Sequence, residues 1–348
     1  MKVFKFGGAS VKDAEGVRNV VKVLENQGFE SCVLVVSAMG KTTNALEKVV
    51  KEYFEEGDYQ QWIQKIKEEH IGIAGELFEK NHPIFEEIKI IFDEAESFLK
   101  INKSPNYNFV YDQVVTCGEI ISSKILSSYL KESGFSNEWL DARDFIKTDA
   151  NYREGLINWE ITEKNILKLD NDKFYVTQGF IGSDDNNFTV SLGREGSDYS
   201  AAIFAYCLNA SDVTIWKDVP GVMTGDPQKF DNVELLTNIS YEEAIEMAYY
   251  GASVIHPKTL QPLQQKKIPF FVKSFIHPEK QGTKIGICDE NQRKESYILK
   301  ENQTLMNIAT RDFSFIAEDH MSYIFGQLAK YRIKVSLMQN SAISLALC

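Results

Sequence analysis

The chain has 348 residues, 43% of them hydrophobic, and carries 38 Lys and Arg against 50 Asp and Glu for a formal charge of −12. That length exceeds one ordinary core and favours two domains, or a large α/β unit with an appendage. The acidic balance lacks the clustered Lys and Arg that bind phosphate backbones, which argues against nucleic acid or an anionic membrane as a partner; any phosphorylated ligand must meet cations gathered locally.

Met1-Lys2 leads straight into an apolar segment without a signal-peptide pattern, and no apolar run is long enough to cross a bilayer, so a cytoplasmic protein is expected. The five cysteines are scattered and lie mostly in apolar stretches, as suits reduced core residues. The five histidines are dispersed without ligand spacing, so no dedicated metal site is expected.

The first predicted element is the strand Val3-Phe4-Lys5-Phe6, which runs into Gly7-Gly8-Ala9-Ser10. Two glycines after a strand let successive N–H groups turn toward an anion, with Lys5 as a fixed charge and Ser10 as a hydroxyl donor. A plain tight turn with a lysine on a strand edge is the other reading. Val17, Val20, Val21 and Leu24 then recur at helical spacing before a second strand, Cys32 to Val36. The loop Ser37-Ala38-Met39-Gly40-Lys41-Thr42-Thr43-Asn44 contains Gly-Lys-Thr, but a P-loop needs a glycine where Val35 stands. Its hydroxyls can still be presented at the carboxyl end of a parallel strand.

Residues 45 to 131 read as helices, broken near Gly57, at His82-Pro83 and around Ser104-Pro105. In the last of them Val115, Glu119, Leu126 and Leu130 share one narrow arc, which leaves an acid on an apolar stripe; a glutamate that reaches the surface by its flexible stem is the plain reading. A strand near Glu138 to Leu140 leads through Asp141-Ala142-Arg143 and a polar connection to Gly155. A short helix (160 to 168), a strand at Phe174 to Thr177, turns from Gly179 to Asn187 and a strand at Phe188 to Ser191 follow. Leu192-Gly193-Arg194-Glu195-Gly196-Ser197-Asp198-Tyr199 then repeats the order of strand, glycine turn and helix start. Arginine suits planar recognition of a carboxylate and the helix start favours anions, although Ser197 or Asp198 could be ordinary N-caps. The strand Val213 to Trp216 enters a long turn-rich loop, Lys217 to Pro227, along which a nucleotide could lie. Helices at 240 to 250 and 256 to 265 and the strand Pro269 to Lys273 come next. Polar residues near 285 to 303 read as a linker. Beyond it, strands at Leu305 to Thr310, Lys334 to Met338 and Ile343 to Leu347, with a helix marked by Met321, Ile324, Phe325 and Leu328, give β-α-β-β. A ferredoxin-like unit has one more helix and strand.

Taken together, Lys5-Phe6-Gly7-Gly8-Ala9-Ser10, Val36-Ser37-Ala38 with Thr43-Asn44, Gly118-Glu119, Leu192-Gly193-Arg194 with Gly196-Ser197-Asp198-Tyr199, and Asp218-Val219-Pro220-Gly221 resemble the aspartokinases of the amino acid kinase superfamily. The resemblance covers essentially the whole chain. It implies a doubly wound α/β sandwich as catalytic domain (1–287), a linker (288–303) and a partial ferredoxin-like ACT regulatory domain (304–348). It further implies ATP- and Mg²⁺-dependent phosphorylation of the side-chain carboxylate of L-aspartate, the first step toward lysine, threonine and methionine, in a homodimer formed through the ACT region.

By the same resemblance Lys5, Gly7, Gly8, Ser37 and Asp198 serve the transferring phosphoryl group. Thr43, Glu119, Arg194, Gly196 and Ser197 hold aspartate, with Glu119 on its ammonium and Arg194 on its α-carboxylate. Ser10, Lys217, Asp218, Met223, Gln228, Ser253 and Lys258 face the nucleotide. Ala9, Gln228 and Ser253 depart from the family's customary threonine, arginine and lysine, and Lys258 is the substitute for the charge missing at Ser253. The competing readings are a sister kinase acting on glutamate or an N-acylated amino acid, and a non-catalytic amino-acid sensor. A half-length ACT unit implies weak or absent inhibition by lysine and threonine, and association through residues 304–348.

Overall fold

The structure is a computed structural model that describes residues 1–252, 255–288, 294–331 and 333–348. Ser253, one of the expected nucleotide residues, lies outside the described residues. In chain order the strands are β1 (Lys2–Phe6), β2 (Cys32–Val36), β3 (Glu138–Leu140), β4 (Phe174–Gln178), β5 (Ile181–Ser183), β6 (Thr189–Ser191), β7 (Val213–Lys217), β8 (Asn238–Ser240), β9 (Phe270–Ser274), β10 (Thr283–Gly286), β11 (Met306–Ala309), β12 (Met338–Asn340) and β13 (Ser344–Leu347). Eight of them form one sheet in the order β3-β4-β2-β1-β7-β9-β10-β8. Every pairing in that sheet is parallel except β9 with β10.

Central strands of such a sheet are covered on both faces and therefore read as unbroken apolar runs. All five residues of β2 are buried. Strand alternation divides the core in two. Phe4, Phe6, Leu34, Val36 and Trp216 point into a cluster completed by the helices between residues 14 and 132. Val3, Val33, Val35, Val213 and Ile215 point the other way, onto the helices Gly196–Leu208 and Pro257–Lys266. Lys5 is two residues from Val3, and Lys217 two from Ile215. The pleat therefore sets both lysines on the face covered by Gly196–Leu208.

Most expected elements are present, with instructive differences. The helical stretch breaks once more than expected, at Thr116, so Val115 closes the helix Tyr107–Val115 while Glu119 lies in the first turn of Cys117–Glu132. The Thr116 hydroxyl donates to the Asp112 carbonyl at 2.6 Å at this junction. Strands β5, β8 and β10 escape the sequence reading because each is short and owes its place to the strand it pairs with, β6, β10 and β9 respectively. In the C-terminal unit the order β-α-β-β holds, with the helix Glu318–Lys330 over a three-stranded antiparallel sheet in the order β11-β13-β12. Its second strand begins at Met338 rather than spanning Lys334 to Met338. Leu328, Leu345 and Leu347 make its small core.

Candidate active site

The carboxyl ends of β1, β2 and β7 meet at a cleft of about 1140 Å³. Its floor is built by close backbone approach. A Cβ on Gly8 would lie 2.7 Å from the Ala38 carbonyl oxygen, and the Gly40 N–H donates to the Gly8 carbonyl at 3.0 Å, so the loops after β1 and β2 are joined through residues without side chains. Lys5 reaches the cleft from β1 with only 7% of its surface exposed. Its Nζ lies 2.6 Å from Asp198 Oδ1, and Lys217 Nζ lies 3.5 Å from Oδ2 of the same carboxylate. Burial pushes the Asp198 carboxyl up, but the two ammonium groups outweigh burial and hold it below the ordinary carboxylate range. The result is a buried charge triad with one excess positive charge at the bottom of the cleft.

Two helix starts add to that field. The helices Thr42–Phe54 and Gly196–Leu208 both begin at the cleft without a side-chain cap; the N–H groups of Thr42, Gly196 and Asp198 donate to the Met39, Gly193 and Glu195 carbonyls, which leaves those of Thr43 and Ser197 to a ligand. Ser197 and Asp198 are therefore not N-caps. The capping position of Gly196–Leu208 is Glu195, at φ 53. Gly179 makes room for this turn, since a Cβ there would lie 2.5 Å from Ser197 Cβ. Arg194 is exposed, and its guanidinium makes no hydrogen bond or salt bridge among the described residues.

Glu119 lines the same cleft. It is buried, and it accepts from the Ala38 backbone and the Thr43 hydroxyl. Its Oε2 has no hydrogen-bond partner. Burial lifts its carboxyl to about 8, against which those hydrogen bonds work. A buried carboxylate oxygen without a donor is costly. A cationic group delivered by a ligand would supply the missing donor. The site thus combines the cations Lys5 and Lys217 with two partnerless carboxylate oxygens, Glu119 Oε2 and Glu195 Oε2, that can meet a cationic group.

The sequence profile of the amino acid kinase family matches residues 1–274. Over 99% of its length the chain is 32% identical to the lysine-sensitive aspartokinase 3 of Escherichia coli, spanning 77% of that protein. The chain belongs to the amino acid kinase family, among its aspartokinases. The crystal structure of E. coli aspartokinase III with lysine and aspartate superposes with a TM-score of 0.84 at 30% identity, over all of this chain and 78% of that one. The complex of the same enzyme with aspartate and ADP gives 0.80 at 28% identity, again over 78% of that chain. A bifunctional aspartokinase/homoserine dehydrogenase of Buchnera aphidicola is 29% identical, and the chain spans 43% of it.

Within this aspartokinase cleft the expected residues divide sharply. Lys5, Gly8, Ser37, Thr43, Glu119, Arg194, Gly196, Ser197, Asp198 and Lys217 all line it. Gly7 lies under the Lys5 ammonium, where a Cβ would be 3.4 Å from Nζ. Ser10 is buried outside the cleft lining, and its hydroxyl donates to the Trp216 carbonyl at 3.3 Å. Of the other described nucleotide candidates, Lys217 lines the cleft, and Asp218, Met223, Gln228 and Lys258 do not. Asp218 and Gln228 are exposed, and the Gln228 N–H is held by Asp226 at 2.9 Å. Met223 bridges to Leu235, and Lys258 is half-buried at the start of Pro257–Lys266. The sequence reading missed a whole wall: Asn108, Tyr111, Asn151, Tyr152, Arg153, Glu154 and Ser191 also line the cleft. The strand-loop polarity of 149–155 was visible, but nothing local showed which cavity it would border.

Proposed function

We propose that the chain transfers the γ-phosphoryl group of ATP to the side-chain carboxylate of L-aspartate, giving 4-phospho-L-aspartate and ADP. The observation that carries this reading is the partnerless Oε2 of Glu119 facing the cleft that holds Lys5, Asp198 and Arg194. An α-amino acid brings an ammonium for Glu119 and an α-carboxylate for the donor fork of Arg194. Its second carboxylate is then directed toward Lys5.

A carboxylate has an ordinary pKa of about 4, so the nucleophile is already ionised at neutral pH and no general base is needed. One oxygen of the β-carboxylate forms a bond to the γ-phosphorus as the bond to the bridging oxygen of ADP breaks, and no proton moves. Catalysis reduces to positioning and charge neutralisation. Lys5 and Lys217 supply positive charge, Asp198 holds both ammonium groups in place, and the amides of Gly7, Gly8 and the two uncapped helix starts donate to phosphoryl oxygens. Ser37 and Thr43 add hydroxyls at the two ends. No cluster of three metal-ligating side chains occurs among the described residues, so Mg²⁺ fits this site as an ion carried on the phosphates, where it neutralises charge. The nucleotide's base and ribose are assigned to the loop after β7, near Asp218, Met223, Gln228 and Lys258.

Glutamate would place its carboxylate one methylene further along, and an N-acylated amino acid would leave Glu119 Oε2 without a cation. ADP release measured with aspartate, glutamate and N-acetylaspartate tests the assignment. Turnover with aspartate alone is expected. Preferred turnover of the acylated substrate would contradict it.

A further inference from the structure

Asp112 is fully buried in the helix Tyr107–Val115 and takes no part in the chemistry above. Three donors converge on it. The Ser191 hydroxyl donates to Oδ1 at 2.6 Å, while the N–H groups of Ser191 and Arg153 donate to Oδ2 at 2.9 and 2.8 Å. Both donor residues line the cleft. Ser191 ends β6, and Arg153 lies in the loop after Thr148 with φ 73, a left-handed conformation that a long side chain adopts only when its surroundings impose it. The same loop is tied to the strand again where the Gly155 N–H meets the Ser191 carbonyl at 3.0 Å.

The loop abuts the turn that carries Arg194. A Cβ on Gly193 would lie 3.2 Å from the Arg153 carbonyl oxygen. The Arg153 guanidinium lies 4.2 Å from the centre of the Tyr111 ring, on the same helix as Asp112. One buried carboxylate therefore fixes the register of a helix, a strand end and a loop that together close the amino-acid end of the cleft.

We infer that Asp112 is a positioning residue for the amino-acid substrate: by pinning Arg153 to Ser191 it sets the wall against which aspartate is held, and it leaves the nucleotide end untouched. This rests on the assignment of the cleft to aspartate and ATP. The test is steady-state kinetics of Asp112→Asn and Ser191→Ala beside the unaltered protein, varying aspartate and MgATP separately, together with thermal unfolding. Both variants are expected to raise the KM for aspartate about fivefold or more, the effect of losing a hydrogen bond to a charged group, with the KM for MgATP and kcat within about twofold. A fall in Tm with an unchanged aspartate KM would overturn the inference, as would equal losses for both substrates. Should Asp112→Asn fail to fold, Ser191→Ala, which removes one donor and keeps the carboxylate, decides between the same outcomes. Absence of aspartate-dependent ADP release by the unaltered protein would instead overturn the assigned reaction.

Discussion

At Lys5 a single side chain joins the fold to the reaction. Its position on β1 is fixed by strand alternation, and its ammonium meets Asp198 at 2.6 Å. Lys5→Ala should lower kcat by ~10² to 10³ while aspartate binding changes little, because the charge it matches develops during transfer. Pre-steady-state ADP formation at saturating substrates checks this, and near-normal turnover would remove Lys5 from the mechanism. For Arg194 the geometry of the donor fork matters more than its charge. Arg194→Lys should therefore raise the KM for aspartate almost as much as Arg194→Ala, and near-normal kinetics in the lysine variant would reduce Arg194 to a diffuse contact.

Glu119 makes a prediction about pH with a definite sign. Its carboxyl lies near 8 in the empty protein, against an ordinary value of 4.5, because burial disfavours the charged form. The folded state thus holds a proton that the unfolded state has lost. The favourable contribution is complete below about 4.5 and is lost as pH rises through about 8. Glu119→Gln removes the charge, so its Tm advantage over the unaltered protein should widen between pH 6 and pH 9. Binding runs the other way, since the ammonium of aspartate needs the ionised carboxylate. The KM for aspartate should fall as pH rises from 6 to 8, a trend absent from Glu119→Gln, whose KM should be about ten- to a hundredfold higher throughout. A stabilised variant with unchanged aspartate KM would separate Glu119 from the substrate.

At the scale of elements, the glycine turns decide how the site is assembled. Gly179→Ala would drive a methyl group to 2.5 Å from Ser197 Cβ and 2.7 Å from its Cα, at the first turn of Gly196–Leu208. Because backbone must give way, we expect a lowered Tm and loss of aspartate turnover together, measured by calorimetry and ADP release. Gly72→Ala, with open space around the glycine in a helix interior, should do neither. The sequence carried the strand-turn-helix units clearly, because β1, β2 and Gly196–Leu208 each pair a strong period with a glycine signal. Glu119 was legible as an acid on an apolar stripe. The wall at 151–154 was not, since its anchor, Asp112, lies 79 residues from Ser191 along the chain and 41 from Arg153. The nucleotide end was expected mainly by resemblance, and there the structure places Ser10 elsewhere and leaves Asp218 and Gln228 exposed on a loop held by its own turns.

At the scale of the whole molecule, the Tyr249 hydroxyl donates to the Val335 carbonyl at 3.3 Å, and Lys300, in the linker, donates to Ser336 of the small C-terminal unit at 2.6 Å. Around that unit Phe313, Phe315, Tyr323 and Leu337 are all more than half exposed. We propose that these apolar side chains form an association surface; light scattering should then show a species larger than a monomer that Phe315→Ser weakens. A strictly monomeric chain at all concentrations would contradict this. In the cleft, a cationic floor and the partnerless Oε2 of Glu119 suit an α-amino acid with a second carboxylate. The most direct test is to trap the product with hydroxylamine during turnover with ATP and aspartate and to identify it by mass. The account predicts aspartate β-hydroxamate in amounts equal to the ADP released; ADP release without hydroxamate would contradict it.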